Sequence, residues 1–166
     1  IFYGAGTPSG YPSAAFTGNG SSWTSGPNLP GSDYYGCVCT GTQTAAISIG
    51  GAGNPGPSSK VFELDGTSWT SATSSPLTVP NGTGNGVGTQ TAAVHAHNTD
   101  NRYWNGSSWS TEASLPVGKP SRAATGGTQA GWFAAGGTPG GTPTPSARET
   151  SEFVAAGATT HTVTVS

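Results

Sequence analysis

The chain has 166 residues, with five Lys/Arg, seven Asp/Glu and a formal net charge of −2, while 28 Gly, 13 Pro, 21 Ser and 25 Thr fill more than half of it. Five basic residues exclude a basic surface for nucleic acid, no apolar run approaches the ~20 residues of a membrane-inserted helix, and Ala/Leu/Glu/Lys runs for a helical bundle are missing. The low net charge separates the chain from disordered polymers of similar polarity, so an all-β fold built largely from turns is expected, as one domain.

Taken in order, Ile1-Phe2-Tyr3 opens without a Met and lacks the pattern of a signal peptide, which reads as a processed or excised part of something longer. Ile1–Tyr3 also matches the strand that precedes Gly51-Ala52-Gly53-Asn54-Pro55, because Gly4-Ala5-Gly6-Thr7-Pro8 follows it. Next come Phe16 and Trp23 around Asn19-Gly20, then Tyr34–Thr40 and Thr44–Ile49 around Gly41-Thr42-Gln43. Phe62–Leu64 and Trp69 flank Asp65-Gly66, Gly84–Val87 and Thr91–Ala96 flank Gly88-Thr89-Gln90, and Tyr103-Trp104 and Trp109 flank Asn105-Gly106. The last units are Arg122–Thr125 with Gly131–Ala135 around Gly127-Thr128-Gln129, then Thr150–Phe153 with Thr162–Val165. Asn-Gly or Asp-Gly between apolar residues is a strong hairpin signal, which predicts a type I′ turn with positive φ at both central positions.

Two motifs run in phase. The pattern [DN]-G-[ST]-S-W recurs at Trp23, Trp69 and Trp109, and Gly-Thr-Gln follows each Trp by 18, 19 and 18 residues. One period therefore holds four short strands, a to d, in two hairpins, and four antiparallel strands per 40–45 residues is the repeat of a β-propeller blade. The expected units are residues 1–31 (lacking strand a), 32–80, 81–118 and 119–166, a ring of about four blades that is either short of one strand or open. The b–c and d–a links are Gly/Pro-rich and share one end of the sheets, and that loop-bearing face is the expected place for a ligand.

The segments Gly41–Gly51 (GTQTAAISIGG), Val61–Ser71 (VFELDGTSWTS) and Leu115-Pro116 resemble the divergent Kelch-like repeat of bacteriophage tail and appendage proteins and of some bacterial secreted proteins, over nearly the whole chain. The resemblance implies a propeller at a virion or cell surface and by itself points to no activity; no enzymatic activity and no cofactor are expected. Its departures are His97-Asn98 where other repeats carry Gly-Gly, and Thr160-His161 near the last Trp position.

Few residues offer chemistry. Asp33, Tyr34 and Tyr35 begin a strand after a long loop and are the candidate ligand-binding residues. His95 and His97 share a strand face at a known metal-ligand spacing but lack a third ligand. Cys37 and Cys39 also share a face, where they read as small packed thiols. Trp23, Trp69 and Trp109, one per repeat, are expected to pack between blades in place of the scarce Leu and Ile. Trp104 and Trp132 stand outside that column and read as candidates for something more specific. Asn19, Asn81 and Asn105 match the glycosylation acceptor pattern, two of them at hairpin turns. Together these readings give a non-enzymatic propeller of an extracellular assembly, such as a tail fibre or other virion appendage. Its partners are neighbouring subunits and a host-surface glycan. The alternatives are a filament subunit joined by strand exchange and, third, a secreted carbohydrate-active enzyme.

Overall fold

The computed structural model describes residues 2–3, 14–31, 36–51, 56–78, 84–115, 123–135, 150–154 and 162–163. These form fifteen strands and no helix. The first sheet holds β1 (Phe2–Tyr3), β2 (Ala15–Gly18) and β3 (Trp23–Ser25). The second holds β4 (Val38–Gly41), β5 (Ala46–Ile49), β6 (Val61–Leu64) and β7 (Trp69–Ala72). The third holds β8 (Asn85–Thr89), β9 (Ala92–His97), β10 (Asp100–Trp104) and β11 (Trp109–Thr111). The fourth holds β12 (Ala123–Thr128), β13 (Gly131–Ala135), β14 (Thr150–Val154) and β15 (Thr162–Val163). Every pairing is between neighbours in sequence and antiparallel, and the first sheet has three strands where the others have four.

The register aligns the motifs across the sheets. Gly41, Ala46, Leu64 and Trp69 form one row of the second sheet, and Gly88, Ala93, Trp104 and Trp109 form the same row of the third. In the first sheet Gly18 pairs with Trp23 at the corresponding place. Three turns close this row, and each differs from the expected I′ form. Asp65 N–H donates to the Ser68 carbonyl at 3.2 Å, which makes Gly66 and Thr67 the central pair. Gly66 has φ +94° while Asp65 is not in the left-handed region. Positive φ is thus confined to the glycine, where the I′ form needs it at both central positions. The acidic side chain then stands outside the turn as its cap: Asp65 Oδ1 accepts from the Thr67 and Ser68 amides at 2.8 Å each. The Thr67 hydroxyl, then those two amides and the Ser68 hydroxyl, hold its carboxyl well below the usual range. Asn19 and Asn105 cap their turns in the same way.

The core lies between sheets. Alternation along a strand sends successive side chains to opposite faces. Both faces of β5 are covered, so Ala46, Ile47, Ser48 and Ile49 are all buried. Ile47, Ile49, Val38 and Val61 of the second sheet pack on Ala93 and Trp104 of the third. Val87, Val94 and Ala96 of the third pack on Trp132 and Ala134 of the fourth, with Leu115 from the link between them. Each buried Ile or Val contributes ~1.5–3 kcal/mol relative to exposure, so a short apolar inventory suffices when it is spent at the junctions. The first strands of the second, third and fourth sheets, β4, β8 and β12, lie side by side. Gly86 permits this approach, since a Cβ there would overlap Val38 Cγ1. The third sheet also explains the missing Gly-Gly pair. His97 pairs with Asp100 across a tight link in which Asn98 adopts φ 54°, so a short turn replaces the long Gly/Pro loop.

Candidate functional site

The chemistry that repeats in this chain is concentrated where one sheet meets the next. Each Gly-Thr-Gln turn sends its glutamine to main-chain carbonyls of the preceding sheet. Gln90 Nε2 donates to the Ala46 carbonyl at 3.2 Å and to the Leu64 carbonyl at 2.8 Å. Gln129 Nε2 donates to the Ala93 carbonyl at 2.9 Å and to the Trp104 carbonyl. Gln43 donates to the Gly18 carbonyl of the first sheet. A primary amide suits this position because its two N–H groups reach two acceptors at once. The glycine of the motif shapes the turn: Gly41 and Gly88 have φ of +110° and +112°, and a Cβ at either would overlap the Ala45 or Ala92 carbonyl oxygen.

The indole of each repeat forms a second tie. Trp69 Nε1 donates to the Pro27 carbonyl at 2.9 Å, and its ring packs with Leu29, Ala46, Phe62 and Leu64. Trp109 Nε1 donates to the Thr73 carbonyl at 2.9 Å, and its ring lies 5.1 Å from that of Trp104. Pro27 and Thr73 follow the last strand of the preceding sheet, so both indoles reach backwards along the stack. Among the described residues no sheet precedes that of Trp23. Trp23 is 66% exposed and Phe16, on the same face of the first sheet, is 39% exposed. The equivalent residues of the second sheet, Phe62 and Trp69, are 5% and 6% exposed. Trp23 lies over Gly18 and, with Gly20, Ser21 and Ser22, lines an open recess of about 260 Å³.

No family model and no curated protein matches the chain. Among solved structures it is similar to one described as "Structure of YjhT", at a TM-score of 0.65 and 15% identity. That likeness covers 86% of this chain and 49% of the other, so the chain spans about half the length of its neighbour. The similarity is one of fold.

The residues singled out in the sequence fall into different settings. Asp33, Tyr34 and Tyr35 lie outside the described residues. Trp69 and Trp109 sit at sheet junctions, whereas Trp23 is exposed, with no sheet over its face among the described residues. Trp104 and Trp132, read as candidates for a specific role, are instead at junctions, 1% and 2% exposed. Trp104 Nε1 donates to Glu63 Oε1 at 3.2 Å, and Trp132 Nε1 to the Tyr103 hydroxyl at 3.3 Å. Burial pushes the Tyr103 hydroxyl above its usual pKa. The glutamines were the repeated polar residues whose role the sequence left unread.

His95 and His97 do share a face of β9, but each is engaged locally: His95 Nδ1 lies 2.7 Å from Ser75 Oγ and His97 Nε2 lies 3.0 Å from Asn98 Nδ2. Among the described residues no three His, Cys, Asp or Glu side chains gather as a metal site. Cys37 and Cys39 lie with their sulfurs 3.8 Å apart, and the hydrogen bond from Cys39 brings the Cys37 thiol down to about 7. His95 has a measurable consequence. It is fully buried between the second and third sheets, with Nε2 unpartnered, and desolvation lowers its pKa to about 3. The folded state thus binds fewer protons than the unfolded chain below pH ~6.5. Stability is complete above that pH and is lost at up to ~1.4 kcal/mol per unit as pH falls toward the folded value. Urea unfolding at pH 7 and pH 5 is expected to show about 2 kcal/mol of this loss in the wild type, and to show it abolished in His95→Gln.

Proposed function

We propose that this chain is a Kelch-like β-propeller segment with a structural and display role in an extracellular assembly, such as a tail fibre or other virion appendage. The observation that carries the reading is the glutamine clamp, repeated at each of the three sheet junctions with the same donor on the following sheet and main-chain acceptors on the preceding one. A radial array of four-stranded sheets with adjacent innermost strands is propeller geometry, and the contacts of β4 with β8 and of β8 with β12 support it. Such an array is rigid by construction. Function is then expected on its loops, which the scaffold holds in place for a host-surface glycan or a neighbouring subunit. Binding by Asp33, Tyr34 and Tyr35 is the specific form of this reading. On a glycan array the paired variant Tyr34→Ala/Tyr35→Ala is expected to lose the signal of the wild type. Turnover of chromogenic glycosides by the wild type would instead support a carbohydrate-active enzyme and overturn the display role. A second reading, a filament joined by strand exchange, draws on the first sheet, where β1 has no strand on its outer side among the described residues.

A further inference from the structure

The chain's two cysteines stand two residues apart, and their sulfurs lie 3.8 Å from each other, with neither in a disulfide. Val38 between them packs toward the third sheet, so alternation turns Cys39 to the opposite face of β4, where it pairs with Ser48. Cys37 joins it there, hydrogen-bonded to Cys39 and to the Ser48 side chain. Both cysteines are half-buried, while Ser48 is buried. Packing does not call for sulfur at these places. Gly41 and Gly88 hold the same position in the registers of their sheets, which aligns Cys39 with Gly86 and Cys37 with Gly84. The third sheet thus builds the same row with glycine at both positions.

We propose that Cys37 and Cys39 form a redox-active dithiol that exchanges with small-molecule disulfides and closes into a readily reduced bridge. The spacing permits this bridge and strains it. Two residues of strand span about 6.4–6.8 Å between Cα atoms, the upper edge of the range that disulfides accept, and strain of this kind makes the bond easier to reduce. A bridge across a single intervening residue also closes too short a loop to serve as a strong staple. The two thiols play different parts. The hydrogen bond from Cys39 outweighs burial and brings the Cys37 thiol to about 7, so much of it is thiolate at neutral pH, the form that attacks. A partly accessible thiol of this kind beside a resolving cysteine is the arrangement of redox-responsive sites. The Cys37 thiolate attacks one sulfur of the small disulfide, forming a mixed disulfide and expelling one thiolate. Cys39 then gives its proton to solvent and attacks the Cys37 sulfur, expelling the second thiolate as the Cys37–Cys39 bond forms. The protein loses two electrons and two protons, and the small disulfide becomes two thiols.

Glutathione redox buffers, read out by mass spectrometry of the intact chain, test it. Oxidised glutathione is expected to yield a species lighter by two hydrogen atoms, with both thiols lost to alkylation, and millimolar reduced glutathione is expected to restore them. Cys39→Ser is expected to stop at a mixed disulfide, one glutathione on Cys37. That adduct is expected to persist at least about tenfold longer than in the wild type, because the neighbouring thiol no longer displaces it. A circular dichroism spectrum unchanged from the wild type confirms that the variant keeps its sheets. A wild type that stays a dithiol in oxidised glutathione overturns the proposal, as does a stable mixed disulfide in place of the bridge. A bridge that reduced glutathione fails to open overturns its assignment as an exchanging pair. Zinc that shields both thiols from alkylation, in a chain that oxidised glutathione leaves unchanged, would give the pair to a metal instead. The glycan-array and turnover results do not depend on this chemistry, so the dithiol and the display role fail separately.

Discussion

Replacing Trp104 by Ala is expected to lower the unfolding free energy by about 4 kcal/mol, near the middle of the range for deleting a large buried aromatic. The residue is 1% exposed, packs against Val38, Ile47, Ile49 and Val61 of the neighbouring sheet, and lies against the tilted ring of Trp109. Its Nε1–H satisfies Glu63, a partly buried carboxylate that the substitution leaves with one fewer donor. The informative control is Trp23→Ala, where the same chemical change on an open face is expected to cost no more than ~0.5 kcal/mol in the dilute chain. Urea denaturation of the two variants side by side measures the contrast. Equal losses would mean that burial at the junction is not what separates these two indoles.

The second large effect is expected from Gly88→Ala. The residue holds φ +112° within the row that joins β8 to β9, and an added methyl group would overlap the Ala92 carbonyl oxygen. An L-residue in such a conformation costs ~1–3 kcal/mol before any clash is counted, so a total of at least about 3 kcal/mol is expected. Gly20→Ala separates the two contributions. Gly20 has φ +94° but open space around its Cβ position, so only the conformational part, ~1–3 kcal/mol, is expected there. Thermal unfolding of both variants decides it, and a Gly88→Ala chain as stable as Gly20→Ala would show that the turn relaxes around the methyl.

Local signals in the sequence led to the right local structures. The Asp65-Gly66 signal places Leu64 opposite Trp69, and the alternation around Gly41-Thr42-Gln43 places β4 against β5. Period, strand polarity and hairpin positions are short-range properties, and short-range chemistry fixes them. The turn class went astray because Asp65 offers two options, a left-handed central residue or an external cap. Its side-chain bonds to the Thr67 and Ser68 amides favour the cap. The larger misreadings concern what lies across a junction. Trp23 and Trp69 occupy the same motif position, yet one is 66% exposed and the other 6%, because among the described residues only the second has a sheet and a leucine-bearing link before it. Trp104 and Trp132 stand outside the motif column and are nevertheless buried, since they replace Leu64 and Ala46 in the corresponding rows of later sheets. Nothing within a few residues of any of them encodes that difference. The glutamines were visible as a repeat, but their acceptors lie 25 to 44 residues away in the chain.

Neighbouring sheets are fastened by a glutamine amide that donates to main-chain carbonyls of the sheet before. Gln90→Leu keeps the volume and removes only that fastening, taking one donor each from the Ala46 and Leu64 carbonyls. Equilibrium unfolding in urea should show a loss of about 1–3 kcal/mol, the net worth of two hydrogen bonds. A variant within 0.5 kcal/mol of the wild type, the ordinary scatter of neutral surface changes, would contradict the account.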